Sequence, residues 1–180
     1  MEKTIHIQYY SSSYGELILG SFEDRLCLCD WKYKTRRESA DRKIQQALQA
    51  AYSIASSEII ETALRQLNEY FNRERTVFDL PLLFIGTDFQ KEVWNKLLEI
   101  PYGATESYEG LATRLNNPKA VRAVAAANGA NPISIFVPCH RIIGKNNKLT
   151  GYAGGLETKK KLLLLEASGG INSTGLFAVK

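Results

Sequence analysis

Apolar and polar residues alternate in short bursts between Thr4 and Trp31: Ile5-His-Ile7, Leu17-Ile-Leu19 and Leu26-Cys-Leu-Cys29, separated by Ser/Gly and Phe-Glu-Asp-Arg turn signals. Alternation with a period of two residues turns one face of a strand inward, so the stretch predicts a small antiparallel meander. The period then becomes helical. Asp41 to Tyr52 places Ile44, Leu48 and Ala51 at helix spacing, and Ser57 to Phe71 does the same with Ile60, Leu64, Leu67 and Phe71. Phe78 to Ile85 reads as an extended segment or connector.

A second pattern starts after Gly86. Thr87-Asp-Phe-Gln90 is a capping box, and Phe89, Val93, Trp94, Leu97 and Leu98 form one apolar stripe that reads as core. Ser107 is placed to cap a helix from Tyr108 to Leu115. Asn116-Asn117-Pro118 breaks that helix and predicts the next, with Asn117 as N-cap, Pro118 at its first position and Gly129 as its stop. Two short helices across a tight turn fit a helix-turn-helix, although spacing alone favours an ordinary helical hairpin. The second helix is rich in alanine (Ala120, Ala123, Ala125, Ala126, Ala127), with Arg122 as its one long cation. Such a slim surface would suit the DNA minor groove, which is only about 6 Å wide. Ile133 to Val137 reads as a short strand, Gly151-Tyr-Ala-Gly-Gly155 as a loop open to a planar ligand or a plain glycine turn, and Leu156 to Ala167 as a last helix. The chain is thus expected to hold an N-terminal α/β domain over 1–85, a second domain over 86–168 and a flexible tail over 169–180.

Composition narrows the class without deciding it. The 180 residues are 44% hydrophobic and 23% charged, with a net charge of +4, as in ordinary globular proteins, many of which bind no nucleic acid. Three cysteines are too few for a disulfide framework and point to a reducing compartment. Cys27, Cys29 and His6 do not make up a four-ligand zinc site, so no metal is expected. Neither a signal peptide nor a membrane span is evident, which predicts a soluble, cytoplasmic protein.

The candidate chemistry lies in Val137-Pro-Cys-His-Arg141. A thiolate is the strongest side-chain nucleophile, but a free thiol has a pKa of about 8.5 and needs a base or positive charge beside it. In an extended segment His140 would face away from Cys139 and act through water or a kink at Pro138. A Cys-His pair by itself is also what a small buried cysteine beside a satisfied histidine looks like.

The context is more specific: Asn117-Pro-Lys-Ala-Val-Arg and Asn131-Pro132 upstream, Ile142-Ile-Gly144 and Gly151-Tyr-Ala-Gly-Gly155 downstream. From Thr87 to Glu166 the chain resembles the active-site domain of the O6-alkylguanine-DNA alkyltransferases, the methylated-DNA–protein-cysteine methyltransferases. The resemblance implies a ribonuclease-H-like N-terminal α/β domain and a mostly helical C-terminal domain with a winged helix-turn-helix. It implies a cofactor-free monomer that binds double-stranded DNA from the minor groove. Each molecule would move one alkyl group from O6 of guanine to Cys139, with O4 of thymine as an alternative lesion. Cys139, His140 and Glu166 match the family's relay, and Asn131 the asparagine that fixes the turn before the nucleophile. Tyr108, the carbonyls of Cys139 and Ile142, and the N–H of Ala153 match the contacts to the flipped guanine; many relatives carry serine where Ala153 stands. Gln90, Tyr108, Asn117 and Arg122 match DNA contacts, with Arg122 filling the space the base vacates. A damage-binding relative without a nucleophile is disfavoured by Cys139 itself, and a Cys-His hydrolase by the lack of an acyl-transfer signature.

Overall fold

Thr4–Ser12 (β1), Gly15–Phe22 (β2) and Arg25–Trp31 (β3) form the expected antiparallel meander in the computed structural model, which describes residues 3–167. The tail expected from 169 onward lies outside the described residues. Ala51–Ile54 (β4) pairs in parallel with β1, so the sheet order among the described residues is β3-β2-β1-β4. Ile44 from the helix Arg37–Leu48 (α1) joins Ile5, Ile7, Ile18, Cys27 and Leu28 in one core cluster. Glu58–Phe71 (α2), capped by Ser57, buries Ile60, Ala63, Leu67 and Tyr70 and packs on β1, β2 and β3. Strands covered on both faces need apolar residues at consecutive positions, which is why β2 and β3 are buried almost throughout.

The expected helix over Asp41 to Tyr52 is displaced. Residues Arg36 and Gln49, both left-handed, bound α1, and Ala51 and Tyr52 belong to β4. Asp30 explains the early start. Fully buried, it accepts hydrogen bonds from Lys34 Nζ and Arg37 Nη1, both at 2.9 Å, and so ties the beginning of α1 to the end of β3. Burying that carboxylate is tolerable because both cations are in place. The Phe78 to Ile85 segment is a connector whose Pro81 and Leu83 bond to Leu26.

The chain divides into two compact units, Met1–Ile85 and Gly86–Lys180. In the second, Asp88–Leu98 (α3) opens with the complete Thr87/Gln90 capping box. Val93, Trp94 and Leu97 are core, whereas Leu98 is 44% exposed and does not belong to it. Ser107 caps Tyr108–Arg114 (α4) through the Gly110 N–H. The next helix, Val121–Gly129 (α5), starts later than the Asn-Pro signal indicated. Asn117 donates to Ala112 and accepts from Ala120, so residues 117–120 form a turn, and Ala120 rather than Asn117 is the N-cap. Trp94 Nε1 donates to the Ala127 carbonyl at 2.8 Å and fixes α5 on α3. Glu106–Ser107 (β5) pairs in parallel with Ile142–Ile143 (β6), and Leu156–Ala167 (α6) completes the unit. The fold is mixed α/β, with a sheet in the first unit and a helix-turn-helix in a mostly helical second unit.

Candidate active site

The run Ile133 to Val137 is not the strand its composition indicates. It folds back on itself: Phe136 N–H donates to Ser134, and Val137 N–H to Ile133. Asn131 closes the loop, accepting from Ile133 N–H and donating to the Val137 carbonyl, each at 2.9 Å. Ile135 sits at φ 73°, a left-handed conformation that is rare for a β-branched residue and persists only where the surroundings impose it. Apolar content made this segment buried, as expected, but the asparagine decided its path. Cys139–Arg141 then form a single 3₁₀ turn, with Ile142 N–H donating to the Cys139 carbonyl. Cys139 and His140 therefore do not lie on opposite faces of a strand.

Cys139 is 4% exposed and His140 0%, so the sulfur lies in a site from which bulk water is largely excluded. His140 Nε2 lies 2.7 Å from Glu166 Oε1. Arg141 Nε and Nη2 donate to the same carboxylate at 2.8 and 3.0 Å, Gly103 N–H adds a further bond at 3.2 Å, and Arg141 Nη1 donates to the Ile100 carbonyl at 2.6 Å. Burial alone would raise the Glu166 pKa; the charges and hydrogen bonds of His140 and Arg141 overcome that and hold it well below the usual carboxylate range. The His140 pKa is lowered as well, but by burial, which outweighs the attraction of Glu166, and Arg141 and Lys159 oppose a further positive charge. The resting site is therefore an ionised Glu166, a charged Arg141 and a neutral imidazole with its proton at Nε2. Nδ1 then carries the free lone pair, the form a base requires.

Opposite this cluster, the Thr150 carbonyl accepts from Tyr108 OH at 3.3 Å and from Lys159 Nζ at 2.8 Å. Lys159 also reaches the Gly151 carbonyl at 3.4 Å, and Gly151 and Gly155 take positive φ, which suits residues without a side chain. Burial raises the Tyr108 pKa, so the phenol stays a donor at neutral pH. The Tyr152 ring stands edge-on to His140 at 6.5 Å, and Ala153 is half-buried in the same loop.

The structure thus gathers Cys139, His140, Glu166, Asn131 and Tyr108 around one turn, with Ile142 following and the Ala153 loop adjoining. Gln90 stands apart at the start of α3, its side-chain oxygen held by the Thr87 N–H at 3.0 Å. Asn117 is exposed in the helix-turn-helix turn, and Arg122 is exposed on α5 beside Ala123 and Ala126. Sequence reasoning assigned no role to Arg141 or Lys159. Arg141 was in plain view in the Cys-His-Arg run. Lys159 opens the Lys159-Lys160-Lys161 run, a composition typical of a solvated face, yet 159, 162, 163 and 166 share one buried helix face.

Burial lowers the Lys159 pKa from 10.5 to about 8. Over that window the unfolded chain holds the proton more tightly, so this group makes stability rise as pH climbs from about 8 towards 10.5. Lys159→Met is expected to flatten that rise relative to the parent, read by chemical denaturation at both ends of the window.

A thiol set beside a buried imidazole–carboxylate pair, on a unit bearing a helix-turn-helix, places the chain in the class of thiol-nucleophile proteins built to meet DNA. Comparison with known proteins narrows this. Residues 88–168 match the family model of the 6-O-methylguanine DNA methyltransferase DNA binding domain, and residues 5–84 that of its ribonuclease-like domain. A methylated-DNA–protein-cysteine methyltransferase of Methanosarcina acetivorans is 45% identical over 88% of this chain and 96% of its own length. The constitutive enzyme of that name from Bacillus subtilis is 43% identical over 88% and 94%. The crystal structure of Mycobacterium tuberculosis O6-methylguanine methyltransferase superposes with TM-score 0.79 at 40% identity, covering 93% of this chain and 96% of that one. The Mycobacterium tuberculosis OGT in complex with DNA gives 0.78 at 41%, covering 91% and 93%. The chain belongs to the 6-O-methylguanine DNA methyltransferase family.

Proposed function

We propose that this protein repairs DNA by direct reversal, taking the alkyl group from O6 of guanine onto Cys139 once per molecule. The observation that carries the reading is the buried His140–Glu166–Arg141 cluster adjoining Cys139 in one 3₁₀ turn. Duplex carrying a labelled methyl group, followed by location of the label, tests it.

The lesion lies inside the base stack, so the nucleotide must rotate out before sulfur reaches it, at a cost of a few kcal/mol. The exposed face of α5 pairs one cation, Arg122, with the small residues Ala123 and Ala126, a shape suited to the minor groove. Arg122 fills the vacated space; Asn117 and Gln90 contact the backbone from the turn and from the start of α3. The protein acts on duplex DNA as a monomer in the cytoplasm, without cofactor or metal.

In the flipped state, the Cys139 thiol gives its proton through water to Nδ1 of His140, and Glu166 stabilises the resulting imidazolium. The thiolate attacks the alkyl carbon; the S–C bond forms as the C–O6 bond breaks, and the electron pair passes to the guanine. Tyr108 OH and the Ala153 N–H donate to the charge developing there, while the Cys139 and Ile142 carbonyls accept from the guanine amino group. The thioether product has no good leaving group, so turnover ends.

Arg122→Ala is expected to slow repair of fully paired duplex by about 10-fold or more, the scale of a lost contribution of ~1.4 kcal/mol. Reaction with a free alkylguanine base, which needs no extrusion, should change little. Equal losses on both substrates would place Arg122 outside the flipping step.

A further inference from the structure

Two buried side-chain atoms, His140 Nδ1 and Asn128 Oδ1, have no hydrogen-bond partner among the described residues, and the Asn128 amide bonds the carbonyl of Cys139, the residue before His140. Asn128 lies on the inner face of α5 and is 4% exposed. Its amide orientation is set by Nδ2, which donates to the Cys139 carbonyl at 3.4 Å; the flipped amide would bring two carbonyl oxygens together. His140 is oriented at its other nitrogen by Glu166, so Nδ1 is directed away from that carboxylate. With the imidazole proton at Nε2, both orphan atoms are acceptors. They cannot satisfy one another, and an interior rarely leaves such groups without a donor. Water is the smallest group that donates twice, and an interior polar site of this kind is where buried water belongs.

We infer that Asn128 is a positioning residue for alkyl transfer: its Oδ1 and His140 Nδ1 together orient one water so that its oxygen lone pair is presented to the Cys139 thiol. The inference rests on the reading of His140 as the base. With one hydrogen held by Asn128 and the other aimed at the imidazole, the water accepts the S–H proton as it passes its own proton to Nδ1. The products are thiolate, imidazolium and the same water, so the step balances. Without Asn128 Oδ1 the water could turn either hydrogen towards sulfur, which is unproductive. Because Asn128 sits on α5 beyond Arg122, the helix proposed to enter DNA is also the one that orients the proton acceptor.

Alkylation of Cys139 by iodoacetamide, followed by peptide mass spectrometry from about pH 6 to about pH 9.5, reads thiolate formation without DNA. Asn128→Leu, which fills the space but offers no acceptor, is expected to raise the midpoint by about one pH unit, a roughly tenfold slower reaction near neutrality. Asn128→Ser keeps an acceptor oxygen and should recover most of the parent's rate. Should Ser react like Leu, the effect is one of packing and the inference is overturned. His140→Gln separates the two levels. A midpoint moved by His140→Gln but not by Asn128→Leu leaves the relay standing and removes Asn128 from it; a midpoint moved by neither removes the relay, and the inference with it. If the leucine variant does not fold, a high-resolution crystal structure of the parent decides: one water within hydrogen-bond distance of both atoms supports the assignment, and its absence overturns it.

Discussion

Cys139→Ala is expected to reduce alkyl transfer to background while leaving fold and duplex binding intact. Cys139 Sγ is the proposed nucleophile, and neither other cysteine can replace it. Cys27 and Cys29 are fully buried in β3; burial pushes the Cys27 thiol up to about 12 and Cys29 well above its ordinary value. Exchanging a buried thiol for a methyl group costs stability on the order of 1 kcal/mol, too little to unfold a domain. Affinity for duplex comes mainly from phosphate contacts, which Cys139 does not make. Transfer assays and gel shifts run side by side on the same lesion-bearing duplex check this. Residual transfer in the variant would place the nucleophile elsewhere, and loss of binding would make Cys139 structural.

Glu166→Gln should produce the next largest loss, in rate and in stability together. The carboxylate accepts from His140, from two nitrogens of Arg141 and from Gly103. An amide in its place has one acceptor oxygen. If its NH₂ faces Nε2, it drives the imidazole proton to Nδ1, the tautomer that cannot accept from the thiol side; if the oxygen faces Nε2, the NH₂ opposes Arg141. A free thiol of pKa about 8.5 is only about 3% ionised at pH 7, so transfer near neutrality is expected to fall by up to about 30-fold, the ratio of a fully formed thiolate to that fraction. The rate profile should move to higher pH. Removing one partner of a buried ion pair also costs about 3–5 kcal/mol, the lower end applying where the substitute keeps some hydrogen bonds. The folded Glu166 pKa is depressed, so its stabilisation is present above the unfolded value of about 4.3 and is lost as pH falls towards the folded one. The parent should therefore lose more stability on acidification than the variant. Single-turnover rates across neutral pH, with denaturation curves on both proteins, decide the point; a shared profile and rate would reduce Glu166 to a structural carboxylate.

Much of this was legible in the chain because local chemistry and burial agreed. The β1–β3 meander, the Thr87/Gln90 capping box and the bounds of α6 follow from period and cap residues that tertiary contacts leave in place. The departures share a cause: a side chain that makes a long-range bond overrides the local signal. Asp30 drew the start of α1 back to Arg37, and Asn131 folded the Ile133–Val137 run into a knot instead of a strand. Pro118 looked like the first residue of α5, but the Asn117–Ala120 turn occupies it. In the site, Cys139 and His140 were recognisable from their motif. The buried Arg141 and Lys159 were not, because charge is ordinarily a surface signal and only the folded chain reveals which charges are enclosed.

One alkyl group is expected to move irreversibly to Cys139. Duplex carrying O6-methylguanine with a radiolabelled methyl group, incubated in excess over protein and followed by peptide mapping, tests it directly. Label is expected on the Cys139 peptide alone, rising to one methyl per molecule and stopping there. Continued turnover, or label on the Cys27–Cys29 peptide, would contradict it.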